Sequence, residues 1–167
     1  IEADGYAAGL VTFGDEGTVN ISNCVNDADV KANRAGGITA WVINGAVLEN
    51  VVNNGDITGA MSACGITNRI AGTIRNAKNY GTIIGNGQEA SAGIAGTQTA
   101  ASTFEYCFNY GNVTTITDNP NASAAGILGQ VPSNKATLNY CANYGDIKAE
   151  KSYAAGIAYS LYGGINA

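Results

Sequence analysis

The chain contains 167 residues, 23 of them glycine, and no histidine, and its formal net charge is −5. This length suggests one domain, and no apolar run approaches the roughly 18 residues of a membrane-spanning helix, so we expect no membrane insertion. The acidic balance excludes nucleic acid as an expected partner, and the lack of histidine removes the commonest general base and metal ligand, so we expect no metal and no cofactor.

A phrase of two small residues, a glycine and an aliphatic residue recurs along the chain, and we call it the anchor. The anchors are AAGL (7–10), AGGI (35–38), ACGI (63–66), SAGI (91–94), AAGI (124–127) and AAGI (154–157). Their glycines lie 28, 28, 28, 33 and 30 residues apart, and the segment TDNPNAS (117–123) is the predicted source of the longest spacing. A fixed period of this length is typical of a repeat architecture.

A second pattern lies between successive anchors and gives five aligned columns. Asparagine fills one column in every repeat: Asn26, Asn53, Asn79, Asn109 and Asn143. A large apolar residue stands five positions before each asparagine, and a β-branched residue stands four positions after it. Short apolar runs that are broken by glycine and asparagine indicate strands rather than helices.

These columns predict an all-β fold, a right-handed parallel β-helix of about 5.5 coils with three short strands in each coil. One strand follows the anchor, one precedes the asparagine, and one follows the next turn. The chain 1–167 is expected to be a single solenoid segment cut from a longer array, with coils at about 6–33, 34–61, 62–89, 90–122, 123–152 and 153–167. Stacked asparagine amides can bond from coil to coil, so the asparagine column is a predicted structural ladder.

The anchor followed by the pattern N-C-x-N-x-G-x-I resembles the GLUG repeat of bacterial surface proteins, over essentially the whole chain. One departure is that the glycine after the strand that follows the anchor is kept only at Gly96 and Gly129. The resemblance implies a secreted or cell-surface bacterial protein, adhesin-like or of the kind found in immunoglobulin A peptidases, and it carries no catalytic residues.

The expected function is therefore that of a non-catalytic extracellular repeat module, with a role as structural spacer or in adhesin-like presentation and binding. Its expected partners are a host glycan, a host or surface protein, and the neighbouring coils of the parent chain.

Tyrosine follows the asparagine in three successive repeats, at Tyr80, Tyr110 and Tyr144. Aromatic side chains stacked at the coil spacing could form a platform for a sugar ring or a partner protein, which makes a carbohydrate-binding β-helix module the alternative function. The same column could instead be an aromatic ladder that only stabilises the turn. Tyr106 and Tyr140 form a second, shorter column that is open to the same two interpretations.

Two groups of acidic residues are candidates for calcium binding or catalysis. The column Asp29, Asp56, Thr82, Asn112 and Asp146 is interrupted, whereas calcium needs six or more oxygens, so solvated turn residues are favoured. Asp15 and Glu16 form the only adjacent acidic pair, and the pair lacks the separated carboxylates of glycoside cleavage. A polysaccharide-degrading β-helix enzyme is therefore the less favoured alternative, and we predict no catalytic residue.

The four cysteines, at positions 24, 64, 107 and 141, show no C-x-x-C spacing, which argues against a zinc site. Cys107 and Cys141 share an inward column on neighbouring coils, so a disulfide between them is geometrically conceivable. Cysteine among valine and alanine is more typical of a small buried hydrophobe, and we expect free thiols.

Overall fold

A computed structural model describes residues 1–131, 135–161 and 163–166. It confirms the predicted class: the chain is an all-β solenoid of about five turns, with about 28 residues per turn, built from parallel strands. Helices are absent from the described part of the chain, so no helix there could cross a membrane.

Most strands have two to nine residues, and one in the second coil has 15. The first ten are β1 (Tyr6–Ala8), β2 (Val11–Gly14), β3 (Asn20–Asn26), β4 (Val30–Gly36), β5 (Thr39–Asn53), β6 (Ile57–Cys64), β7 (Thr67–Arg75), β8 (Lys78–Asn79), β9 (Ile83–Gly85) and β10 (Ala90–Ala92). The rest are β11 (Ala95–Gln98), β12 (Ser102–Glu105), β13 (Phe108–Asn109), β14 (Val113–Thr115), β15 (Ser123–Ala125), β16 (Leu128–Gln130), β17 (Ala136–Asn139), β18 (Ala142–Asn143), β19 (Ile147–Ala149), β20 (Tyr153–Ala155) and β21 (Gly163–Asn166).

Two sheets run along the stack of coils. One sheet holds β1, β4, β6, β9, β10, β14, β15, β19 and β20, and the other holds the remaining described strands. In the fourth coil the three predicted strands are present as β11, β12 and β14, and two shorter ones accompany them: β10, formed by small residues of the anchor, and β13, which ends at the asparagine of the ladder. Alanine and serine have low strand propensity, and here they are held extended by pairing with the adjacent coils.

Strand pairing follows the columns of the sequence. Thr39 pairs with Thr67, and Asn109 pairs with both Asn79 and Asn143, so residues of one column are direct neighbours on successive coils. The larger cluster of the buried core is formed by residues of the twelve-stranded sheet and of the turns next to it. It contains the aliphatic residues of the anchors and the apolar column before the asparagines: Ile38, Ile66, Ile94, Ile127, Leu48, Ile74, Phe104 and Leu138.

The extra residues behind the 33-residue spacing lie between β14 and β15. Thr103 pairs with Thr73 and Thr73 with Val47, so these strands of the fourth and second coils are 56 residues apart, which is two periods of 28. Ala125 pairs with Ala92 and Ala92 with Cys64, so Ala125 and Cys64 are 61 residues apart. The five additional residues therefore lie in the connection that contains 117–123, as predicted.

The glycine of the anchor is required by close contact with the asparagine column. A Cβ atom built on Gly65 would lie 2.1 Å from the carbonyl oxygen of Gly93 and 2.4 Å from Cγ of Asn79. Both distances are far inside van der Waals contact, so no larger residue fits without moving the backbone. The anchor glycines and the asparagine column, which are the two most regular columns of the sequence, therefore pack directly against each other.

Candidate functional site

The five asparagines of the predicted ladder lie at one corner of the solenoid and form a continuous chain of amide hydrogen bonds. Each Nδ2 donates to Oδ1 of the asparagine on the next coil, at 2.7 or 2.8 Å, from Asn26 through to Asn143. Each also donates to a backbone carbonyl two residues further on. Because these amides already form their hydrogen bonds inside the corner, they are not available to bind a ligand.

A second column, three residues earlier, adopts the left-handed backbone conformation on every coil. Its members are Asn23, Asn50, Asn76, Tyr106 and Tyr140, with φ between 52° and 56°. The asparagines form an outer amide ladder, with Asn76 Nδ2 donating to Asn50 Oδ1 at 3.1 Å and Asn50 Nδ2 donating to Asn23 Oδ1 at 3.2 Å. Asparagine accepts this conformation readily, whereas a tyrosine in it costs roughly 1–2 kcal/mol.

The tyrosines form two stacks along the solenoid. Tyr80, Tyr110 and Tyr144 stack with ring centroids 4.8 and 5.0 Å apart and ring planes 6° and 11° from parallel. Tyr106 and Tyr140 stack at 5.1 Å and 11°. Parallel rings at this distance overlap face to face, so the rings within a stack present their edges and hydroxyl groups to solvent. A sugar ring could stack only on the free face at the end of each column.

The exposed fraction of each tyrosine in the longer stack depends on its position in that stack. Tyr110, between two other rings, is 41% exposed, whereas Tyr80 and Tyr144 at the ends are 49% and 65% exposed. Each ring is nevertheless more exposed than a packed aromatic residue would be, and the binding role predicted for this column stays a prediction.

The two tyrosine columns and Phe108 lie on one surface, which we call the aromatic face. Along the fourth coil, Tyr106, Phe108 and Tyr110 point outward and alternate with the buried Cys107 and Asn109. The complete set is Tyr80, Tyr106, Phe108, Tyr110, Tyr140 and Tyr144. Phe108 is not part of either predicted tyrosine column, but the strict alternation over 106–110 is a sequence signal that places it on the same surface as both columns.

A groove of about 440 Å³ opens at the edge of the aromatic face. Its lining residues are Asn50, Val52, Asn76, Lys78, Tyr106 and Phe108. The groove lies where the left-handed column changes from asparagine to tyrosine, because the smaller side chain of Asn76 leaves the ring of Tyr106 standing above it.

The predicted aspartate column stabilises turns by bonding from coil to coil. Oδ1 of Asp29 accepts the backbone N–H of Asp56 at 2.8 Å, and Oδ1 of Asp56 accepts that of Thr82 at 2.7 Å. Asn112 does the same for Asp146 at 2.9 Å. Within the described ranges, no three histidine, cysteine, aspartate or glutamate side chains are grouped in a way that could hold a metal ion.

The glutamates of the middle coils are paired with arginines. Glu89 contacts Arg34 at 2.5 Å and Arg69 at 3.3 Å, and Glu105 contacts Arg75 at 2.8 Å. Burial acts to raise the pKa of Glu89, but the hydrogen bonds and charges of the two arginines outweigh it and leave that pKa below its usual range. The hydrogen bond from Arg75 likewise lowers the pKa of Glu105. Neither carboxylate is prepared to hold a proton as a general acid would.

All four cysteines are free thiols, as predicted. Cys64 is fully buried, and burial raises its pKa to about 12. A hydrogen bond with Cys141, together with burial, raises the pKa of Cys107. Thiols in such surroundings are poor nucleophiles.

The chain matches no protein-family model, no curated protein and no solved structure. The resemblance to the GLUG repeat and everything it implies therefore stay predictions.

Proposed function

We propose that the chain is a non-catalytic repeat module of an extracellular bacterial surface protein, which acts as a rigid spacer and presents the aromatic face for binding. The observation that carries this proposal is the continuity of the side-chain ladders. The inner asparagines, the outer asparagines and the tyrosines each bond or stack along the axis of the solenoid. Ladders of this kind join successive coils into one stiff unit, which suits a spacer.

The state of the carboxylates also favours a module without catalytic activity. Glu89 and Glu105 are bound by arginines, and Asp29 and Asp56 cap backbone N–H groups. Asp15 and Glu16 are exposed. Glycoside cleavage needs one carboxyl group with a raised pKa and a second carboxylate facing it across the scissile bond, and none of the acids above offers that pair.

Incubation of the purified chain with a panel of polysaccharides tests the non-catalytic proposal, with new reducing ends and unsaturated products as the readout. We expect no product. Turnover that is abolished by Glu89→Gln, or by the double change Asp15→Asn and Glu16→Gln, would replace the proposal with the polysaccharide-degrading enzyme. Labelling of intact cells of the source bacterium with an antibody against the chain tests the surface location, and signal only after permeabilisation would contradict it.

Exposure of the aromatic face favours a carbohydrate-binding role as the second candidate. Tyr106 and Tyr140 adopt the strained left-handed backbone conformation. The tyrosines of this face are 41–65% exposed, so burial of their rings does not offset that strain. Contiguous exposed aromatic surface marks interaction sites. Glycan binding that survives Tyr110→Ala together with Tyr144→Ala would exclude the longer tyrosine column as the contact.

A further inference from the structure

The groove beside the aromatic face combines three groups that the fold leaves unused, and the first is a ring face. Tyr106 stacks on Tyr140 through one face only, at 5.1 Å. Its other face is turned toward the preceding coil, where the column holds Asn76 instead of a ring. Asn76 and Tyr106 both line the groove, so a free aromatic face forms one of its walls.

The second group is an amide oxygen. Asn76 is the last member of the outer amide ladder, and its Nδ2 donates to Asn50 Oδ1 at 3.1 Å. On the next coil the ladder would continue with an asparagine donating to Asn76 Oδ1, but the column has Tyr106 there. No side chain in the described ranges donates to this oxygen, so Asn76, which lines the groove, carries an unused acceptor.

The third group is a positive charge. Lys78 is half-buried on the groove, and it forms no ion pair with any residue in the described part of the chain. The nearby carboxylates of Glu49 and Glu105 are both directed to Arg75, at 3.7 and 2.8 Å. The ammonium group is thus an uncompensated cation in the wall of an otherwise uncharged groove.

We propose that this groove binds a sugar that carries a carboxylate, such as a uronic or a sialic acid. This inference rests on the proposed binding role of the module and names its ligand class. The C–H face of the sugar ring packs on the free face of Tyr106, a hydroxyl donates to Asn76 Oδ1, and the carboxylate accepts from the Lys78 ammonium. Asn76 and Lys78 are two residues apart and both line the groove, so the amide oxygen and the ammonium group can contact the same sugar.

The left-handed strain supports this assignment independently. Three coils place asparagine at this bend, and the change to tyrosine at Tyr106 gives up both the relaxed backbone and one bond of the outer ladder. Strain kept at an exposed position points to a role in function. In return, the tyrosine supplies the aromatic ring that forms one wall of the groove.

Binding of three probes by isothermal titration calorimetry tests the proposal: a galacturonic acid trimer, 3′-sialyllactose and neutral lactose. We expect binding of at least one acidic probe, which distinguishes a uronate ligand from a sialylated one, and weaker binding as salt is added. Lys78→Gln and Tyr106→Asn should each weaken this binding by about tenfold or more, because each removes one direct contact to the ligand.

Tyr106→Asn introduces the residue that the same bend carries on other coils, so it should not disturb the fold. Tyr153→Ala, an exposed tyrosine outside both the aromatic face and the groove, is the matched control and should leave the affinity unchanged. The inference fails if neither acidic probe binds, if lactose binds as well as they do, or if Tyr106→Asn retains full affinity. A protein ligand that contacts Tyr106 and is not displaced by acidic sugars would also overturn it. Cleavage of a probe would instead contradict the non-catalytic proposal.

Discussion

Replacement of Asn79 by alanine should be among the most costly single changes to a polar residue of this chain. Asn79 is fully buried in the middle of the inner ladder. Its Nδ2 donates to Asn109 Oδ1 at 2.8 Å and to the carbonyl of Gly81 at 2.9 Å, and its Oδ1 accepts from Asn53 Nδ2 at 2.8 Å. Each net hydrogen bond contributes about 1 kcal/mol, and buried partners left unpaired add to the loss, so we expect Asn79→Ala to destabilise by about 3 kcal/mol.

Two other asparagines serve as matched controls. Asn143 is half-buried, accepts from Asn109 and donates to Gly145, so Asn143→Ala should cost about 1–2 kcal/mol. Asn54 is exposed, and its side chain bonds to Asp27 and to no other residue that the structure describes, so Asn54→Ala should cost less than about 0.5 kcal/mol.

Urea unfolding followed by circular dichroism measures the order of these losses, provided that the slope with denaturant is the same in all variants. The corresponding fall in melting temperature for Asn79→Ala is roughly 6–12 °C. A loss for Asn79→Ala no larger than that for Asn54→Ala would refute the argument, because the column would then be a turn preference without cross-coil bonding.

Four further predictions follow from the packing and the charges. Gly65→Ala should destabilise the fold by about 1–3 kcal/mol through overpacking, because the added Cβ would overlap Gly93 O and Asn79 Cγ. Gly5→Ala is the control: no atom lies near its Cβ, so it should be neutral in the same urea titration. Tyr106→Asn should leave stability unchanged or raise it by about 1 kcal/mol by relieving left-handed strain, and a clear loss in urea would contradict this. Because the pKa of Glu89 is lowered from 4.5 in the fold, its ion pairs stabilise the fold above the unfolded-state pKa, and this contribution disappears as the pH falls through the folded-state pKa. The unfolding midpoints of the wild type and Glu89→Gln should therefore differ at pH 7 and converge as the pH falls through the lowered pKa. Cys64, with a pKa of about 12, should resist Ellman's reagent in the folded chain, whereas the less buried Cys24 should react. Equal reaction rates for the two thiols would contradict the burial of Cys64 and show that the coil around it opens locally.

The fold could be predicted from the sequence because its two strongest columns are in contact. Gly65 packs on Asn79, and neither position tolerates another residue without loss, so both remained regular and revealed the coil period. The anchor strands, such as β10 and β15, could not be predicted. Their alanines and serines carry no strand signal, and pairing with the adjacent coils holds them extended.

The candidate site could be predicted only in outline. A column of tyrosines in the sequence predicts the spacing of the rings but not the angle between their planes. Only the structure shows that the rings of Tyr80, Tyr110 and Tyr144 are nearly parallel and cover one another's faces. The left-handed backbone at Tyr106 was equally hidden, because tyrosine is not a residue that signals it. The ion pair between Arg34 and Glu89 joins residues 55 positions apart, which no local pattern indicates.

Side-chain amide hydrogen exchange, followed by NMR, tests most directly whether the polar side chains of the inner ladder are committed to holding the coils together. The Nδ2 protons of Asn53, Asn79 and Asn109 should exchange slowly, on the timescale of global unfolding, because each bonds within a buried corner. The Nδ2 protons of the exposed Asn54 provide the internal reference for fast exchange. Exchange of the three buried amides as fast as that of Asn54 would contradict a bonded ladder, and with it the proposal of a rigid spacer.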